Sequence, residues 1–171
     1  KDEKELDFSQ KIRYNSSMSK VYYSWSDIEG MMADITQQMA TQMLRPHVVL
    51  GPSRGGLPIG VMMSHYFDIP FHGFEWQTRD GKVQNSSQLK SLLSKYNGKR
   101  VVIIDDINDT GTTLKGIHEI VVNEDMAKNV KYITLLDKLS SDFGDVEITA
   151  KELDEVEEKQ WIVFPYEEWW K

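Results

Sequence analysis

Two adjacent carboxylates, Asp105 and Asp106, followed shortly by Asp109-Thr110-Gly111-Thr112-Thr113, carry the strongest chemical signal in the chain. The threonines add hydroxyl donors, and Gly111 lets the backbone come close to a ligand. A helical pattern, Leu114, Ile117, Ile120 and Val121, follows at once. A helix starting there offers unpaired backbone N–H groups and the positive end of its dipole to an anion. A second stretch, Gly51-Pro52-Ser53-Arg54-Gly55-Gly56-Leu57-Pro58, has the same logic. A strand enters it, a glycine pair follows, and a helix is expected to start at Pro58, with Arg54 able to grip an anion as a fork.

The elements that must position these stretches can be read from periodicity. Val101, Val102, Ile103 and Ile104 run without alternation, as in a central parallel strand buried on both faces. Strands are also expected at His47–Leu50, Phe71–Trp76 and Lys131–Leu136, the last delivering Asp137 and Lys138 to the same sheet edge. Ser26 and Glu29 fit a capping box for a helix with Ile28, Met31, Met32, Ile35, Met39 and Met43 on its core face, stopped by Pro46. Leu57–Tyr66 reads as a helix with Leu57, Val61, Met62 and His65 inward or near-inward. Another runs from Ser87 through Leu89, Leu92, Leu93 and Tyr96 to a left-handed cap at Asn97-Gly98. Strands alternating with helices through short connections predict an α/β fold with a doubly wound parallel sheet. In such sheets ligands sit beyond the carboxyl ends of the strands, where both stretches fall.

The hydrophobic run, paired acids and D-T-G-x-T turn resemble the 5-phosphoribosyl-1-pyrophosphate (PRPP) signature of the type I phosphoribosyltransferases. The S-R-G-G-L stretch resembles the pyrophosphate loop of their purine-salvage members, in which the peptide before the arginine is often cis. W-I-x-x-P-aromatic-acid, from Trp161, resembles the hood segment of the xanthine-guanine and hypoxanthine enzymes. The resemblance extends from about Trp25 to Glu168. It implies that PRPP is held by Ser53, Arg54, Gly55, Gly56, Asp105, Asp106, Asp109, Thr110, Gly111, Thr112 and Thr113, and that Asp105 and Asp106 place Mg²⁺. Asp109 and Arg54 are the implied catalytic groups, Asp109 holding or relaying the proton of the purine's nitrogen 7. Lys138 is implied to meet a 6-oxo group, Trp161 to stack on the base and Ile162 to read its edge through the backbone. Such members carry a mobile loop, often with a Ser-Tyr pair. Here that pair is lacking, and Thr78, Arg79 and Lys82 stand in its place. The implied reaction makes a nucleoside monophosphate and pyrophosphate from PRPP and guanine, xanthine or hypoxanthine, in a cytoplasmic homo-oligomer, a dimer or tetramer.

The whole chain is compatible with that expectation. Its 171 residues suit one domain, and a net charge of −7, from 20 basic against 27 acidic residues, argues against a general nucleic-acid binder. There is no cysteine, hence no disulfide framework and no thiolate chemistry. No apolar run approaches a membrane span. Residues 1–17 are charged and aperiodic and are read as a disordered leader or an added extension. Residues 18–137 are then the PRPP-binding core and 138–171 a small C-terminal hood over the purine site. The acidic stretch beyond Ser140 is expected to be a solvated face, and the tryptophans of the tail are expected to pack on something. Two rivals stay open. A non-catalytic regulator sensing PRPP would keep the signature, and the unusual Thr78-Arg79 segment admits it. A phosphoribosyltransferase for another base would lack the pairing of Lys138 with Trp161.

Overall fold

The computed structural model describes residues 19–76, 84–126, 128–154 and 156–170, so the leader and the loop with Thr78, Arg79 and Lys82 lie outside the described residues. The main sheet holds β2 (Val48–Pro52), β3 (Phe71–Phe74), β4 (Val101–Asn108), β5 (Val130–Lys138) and β6 (Val146–Leu153). Its order is β3-β2-β4-β5-β6, with all neighbours parallel. β4 is thus central as expected, and Val101 to Ile104 are at most 1% exposed. The strand does not end at the acids, however. It carries Asp105 and Asp106 within it and runs on to Asn108, because pairing with β5 continues as far as Asn108 opposite Asp137.

Helices cover both faces, as a doubly wound sheet requires. α1 (Trp25–Thr41) and α2 (Gly56–Phe67) pack Ile28, Ile35, Met39, Ile59 and Met63 against Val102 and Ile104. On the other face, α3 (Ser86–Lys95) and α4 (Thr112–Asn123) pack Leu89, Leu93, Leu114 and Ile117 against Val101 and Ile103. At roughly 1.5–3 kcal/mol for each fully buried aliphatic side chain, these two clusters account for most of the force that holds β4 in place. Among the described residues no helix is long and apolar enough to cross a membrane.

Several boundaries differ from expectation for physical reasons. α1 is capped by Ser24, not Ser26: Ser24 Oγ accepts from the Asp27 N–H at 3.1 Å, and Asp27 reaches back to the Ser24 N–H at 2.7 Å. The helix ends at Thr41, ahead of Pro46, where Met43 takes a left-handed φ of 53° and is 89% exposed, so it leaves the core stripe. α2 starts at Gly56, before Pro58, and turns Ile59 and Met63 inward with Gly56 and Gly60, leaving Val61 and His65 exposed. A Cβ on Gly56 would lie 2.4 Å from the Ile104 carbonyl oxygen and one on Gly60 2.2 Å from the Phe71 ring. Glycine is therefore what brings this face against the sheet.

Beyond Lys138 the chain first adds β6 to the main sheet, with Ile148 and Leu153 buried and Glu147 and Glu152 facing out. It then forms β7 (Trp161–Val163), which pairs in parallel with β1 (Lys20–Tyr22) as a separate two-stranded sheet. Phe164 is buried against the core, but Trp169 and Trp170 are 78% and 65% exposed, contrary to the expectation that the tail's tryptophans are covered.

Candidate active site

The order β3-β2-β4 contains a change of winding direction. From β2 the chain moves outward to β3, then returns to the other side of β2 as β4. Such a switch point opens a crevice beyond the carboxyl ends of the two central strands. The loop after β2 and the turn after β4 are the two stretches that end there. They line one cavity of about 620 Å³, together with Lys138 at the end of β5 and Trp161 and Ile162 of β7.

On the β2 side, the Ser53–Arg54 peptide is cis, as the resemblance implied. The Ser53 N–H donates to the Phe74 carbonyl at 2.9 Å, and Ser53 Oγ accepts from the Trp76 N–H at 3.2 Å, tying the loop to the end of β3. Gly55 lies directly under the second acid: a Cβ there would be 2.3 Å from the Asp106 carboxyl. Ser53, Arg54 and Gly55 line the cavity, whereas Gly56 serves the helix–sheet contact and does not.

On the β4 side, Asp105 is 8% exposed and its Oδ1 accepts from the Asp106 N–H at 3.0 Å. Asp106 Oδ2 accepts from the hydroxyl of Tyr166 at 2.8 Å. Burial first, and the charge of Asp106 next, push the Tyr166 phenol far up, so that it remains a donor. Gly111 caps α4 with a left-handed φ of 83°, and Thr110 and Thr112 share a hydroxyl contact of 2.9 Å at the helix entry. Thr110 to Thr113 all line the cavity at this helix end, where backbone N–H groups meet an anion.

Two of the residues expected on the base side are also brought together. Lys138 Nζ lies 2.5 Å from Asp109 Oδ1, with both side chains largely covered. Lys138 is the last residue of β5, not a loop residue beyond it. Behind this pair stands Asn108, 1% exposed. Its Nδ2 donates to Asp137 Oδ1 at 2.8 Å and to the Phe143 carbonyl at 2.9 Å, while its Oδ1 accepts from Ser141 Oγ at 2.9 Å. Burial raises the Asp137 carboxyl above its ordinary range, against the lowering effect of the Asn108 bond. Trp76, Tyr166 and Trp170 also line the cavity and were not singled out from the sequence. The aromatic after Pro165 in the hood motif was the available sign of Tyr166.

The donor set suits Mg²⁺. The ion binds through one or two carboxylates and completes its shell with water and substrate phosphates. Asp105 and Asp106 could supply two hard oxygen ligands at the cavity wall.

Residues 19–169 match the family described as the phosphoribosyl transferase domain. A purine phosphoribosyltransferase from Pyrococcus horikoshii has a similar structure, with a TM-score of 0.68 and 28% identity over 88% of this chain and 95% of that one. A hypoxanthine-guanine phosphoribosyltransferase of Lactococcus lactis is 32% identical over 96 residues, covering 53% of this chain and 51% of that protein. The transcriptional regulator GfcR of Methanococcoides burtonii is 26% identical over 96 residues, covering 56% and 47%. The chain thus spans about half the length of the curated relatives it matches.

Proposed function

The chain belongs to the phosphoribosyl transferase domain family, and from that premise we propose that it transfers the phosphoribosyl group of PRPP to a 6-oxopurine, releasing pyrophosphate. The observation that carries this reading is the convergence on one cavity of an anion-binding helix entry, two carboxylates, an arginine loop and a lysine–acid pair beside a tryptophan. Its parts match the parts of the substrates. Thr110 to Thr113 and the first turn of α4 receive the 5-phosphate, and Asp105 and Asp106 hold the ribose hydroxyls.

In the reaction the purine nitrogen attacks the anomeric carbon as the bond to pyrophosphate breaks. Ribose becomes oxocarbenium-like while the leaving group gains negative charge. Arg54 and the amides of its loop stabilise that charge, and the paired acids stand on the cationic side. Asp105 and Asp106 would hold Mg²⁺, which when bound would supply further charge neutralisation at the diphosphate. Asp109 holds or relays the proton of the purine's nitrogen 7. Lys138 donates to the 6-oxo oxygen, Trp161 stacks on the ring, and the backbone of Ile162 reads its edge. The likeness to GfcR supports a second reading, a regulator that binds PRPP without turning it over. Pyrophosphate release on mixing PRPP, Mg²⁺ and guanine or hypoxanthine separates the two. The enzyme releases it only when purine is present, and PRPP binding without any release would identify the regulator.

A further inference from the structure

Tyr166 belongs to the segment after β7, yet its hydroxyl reaches Asp106 on β4 at 2.8 Å. Two rings hold its own ring, and a third braces one of them. It stacks on Phe164 at 5.5 Å and 5°, Phe164 stacks in turn on Tyr23 at 6.1 Å, and Trp25 leans on Tyr166 at 6.0 Å. Phe164 is itself 2% exposed, and its N–H donates to Glu167 Oε2 at 2.8 Å, closing the turn that presents Tyr166. The hydroxyl is therefore aimed by packing. A phenol O–H facing a carboxylate oxygen at this distance is the donor of the pair.

Asp106 lies between this hydroxyl and Gly55 of the arginine loop, whose missing Cβ makes room for it. A carboxylate can accept about four hydrogen bonds, so one from tyrosine orients it without exhausting it. We infer that Tyr166 is a positioning residue: its hydroxyl fixes Asp106 in the orientation that receives the ribose of PRPP, making PRPP affinity depend on the same segment that carries Trp161. The inference rests on the functional reading above and assigns to the hood a role in the PRPP half of the site.

Tyr166→Phe removes the hydroxyl and keeps the ring stack. Calorimetric titration of PRPP with Mg²⁺ into the full chain should show Kd raised about tenfold, as expected when a hydrogen bond to a charged group is lost. KM for the purine should stay within about twofold, and the melting temperature should hold. Tyr166→Leu, which loses the stack as well, should lower melting in addition. In an Asp106→Asn background the Tyr166→Phe change should add less than about twofold, since the partner is already altered. PRPP affinity unchanged or tightened by Tyr166→Phe would overturn the inference, as would an equal loss in both backgrounds. If the parent protein itself bound no PRPP, the functional reading would fail first and take this inference with it.

Discussion

Asp109 and Lys138 form a 2.5 Å ion pair across the ends of two neighbouring strands, and the sheet register is the cause. Asn108, the last residue of β4, is paired with Asp137 in the β4–β5 ladder, so Asp109, just past the strand end, comes beside Lys138, the last residue of β5. The Asn108–Asp137 hydrogen bond and the Asp109–Lys138 ion pair are thus neighbours at the carboxyl ends of β4 and β5. The acid proposed to handle a proton and the lysine proposed to read the base are thereby one unit. Asp109→Asn should lower kcat about a hundredfold or more, with PRPP affinity largely intact in calorimetry. An unchanged kcat would reduce Asp109 to a positioning role.

Asn108 is the support for that unit. Replacing it with Leu strands the Phe143 carbonyl and the Ser141 hydroxyl that it now satisfies. A loss of about 1–3 kcal/mol per buried unsatisfied group is expected. Chemical denaturation should show this destabilisation, and steady-state kinetics should show a raised KM for purine, because the segment after Lys138 is no longer held. Parental stability would mean that a water takes over these bonds.

Much of this site was legible because its pieces are local. The unalternating run Val101–Ile104, the acids and the hydroxylated turn are contiguous, and the glycine loop at residues 51–56 announces itself by composition. What escaped is non-local or degenerate. Ser24 with Asp27 and Ser26 with Glu29 fit the same capping pattern, and the helix takes the first. β1 pairs with β7 across almost the whole chain, a register that three-residue strands cannot specify alone. β6 is an edge strand with an irregular burial pattern and a register shift near its start, and its charges hid it within an acidic stretch. The inward face of α2 was misread because two of its core positions are glycines.

Gly55→Ala and Gly111→Ala should damage the site for different reasons. The first places a methyl 2.3 Å from the Asp106 carboxyl and should weaken PRPP binding while the fold survives. The second adds a Cβ 2.6 Å from the Phe143 backbone nitrogen at a residue with φ of 83°, so strain and collision add up. Its cost should exceed the roughly 1 kcal/mol typical of a left-handed non-glycine residue. Thermal melts should separate the two: little change for Gly55→Ala, a clear drop for Gly111→Ala.

The raised Asp137 carboxyl gives a pH signature. Its cause is burial, followed by the lowering bond from Asn108 and the raising charge of Glu152. An acid whose folded pKa is raised holds its proton longer in the folded state, so stability falls as pH rises from about 3.9 through the folded value, then levels off. Asp137→Asn keeps an oxygen to accept from Asn108 and removes the buried charge. It should flatten that decline and melt higher than the parent at neutral pH. A parallel pH profile in the two proteins would show that Asp137 is not the source.

Discrimination between purines tests the central claim most directly. Initial rates should be measured with guanine, xanthine, hypoxanthine and adenine at saturating PRPP and Mg²⁺, for the parent and for Lys138→Ala. A buried donor facing a 6-oxo group rejects an amino group there, and a site built on such a contact can discriminate by about ten-thousandfold. The account predicts turnover of one or more oxopurines, little or none of adenine, and a large fall in kcat/KM for oxopurines in Lys138→Ala. Adenine turned over as well as the oxopurines, or a Lys138→Ala enzyme with parental kcat/KM, would contradict it.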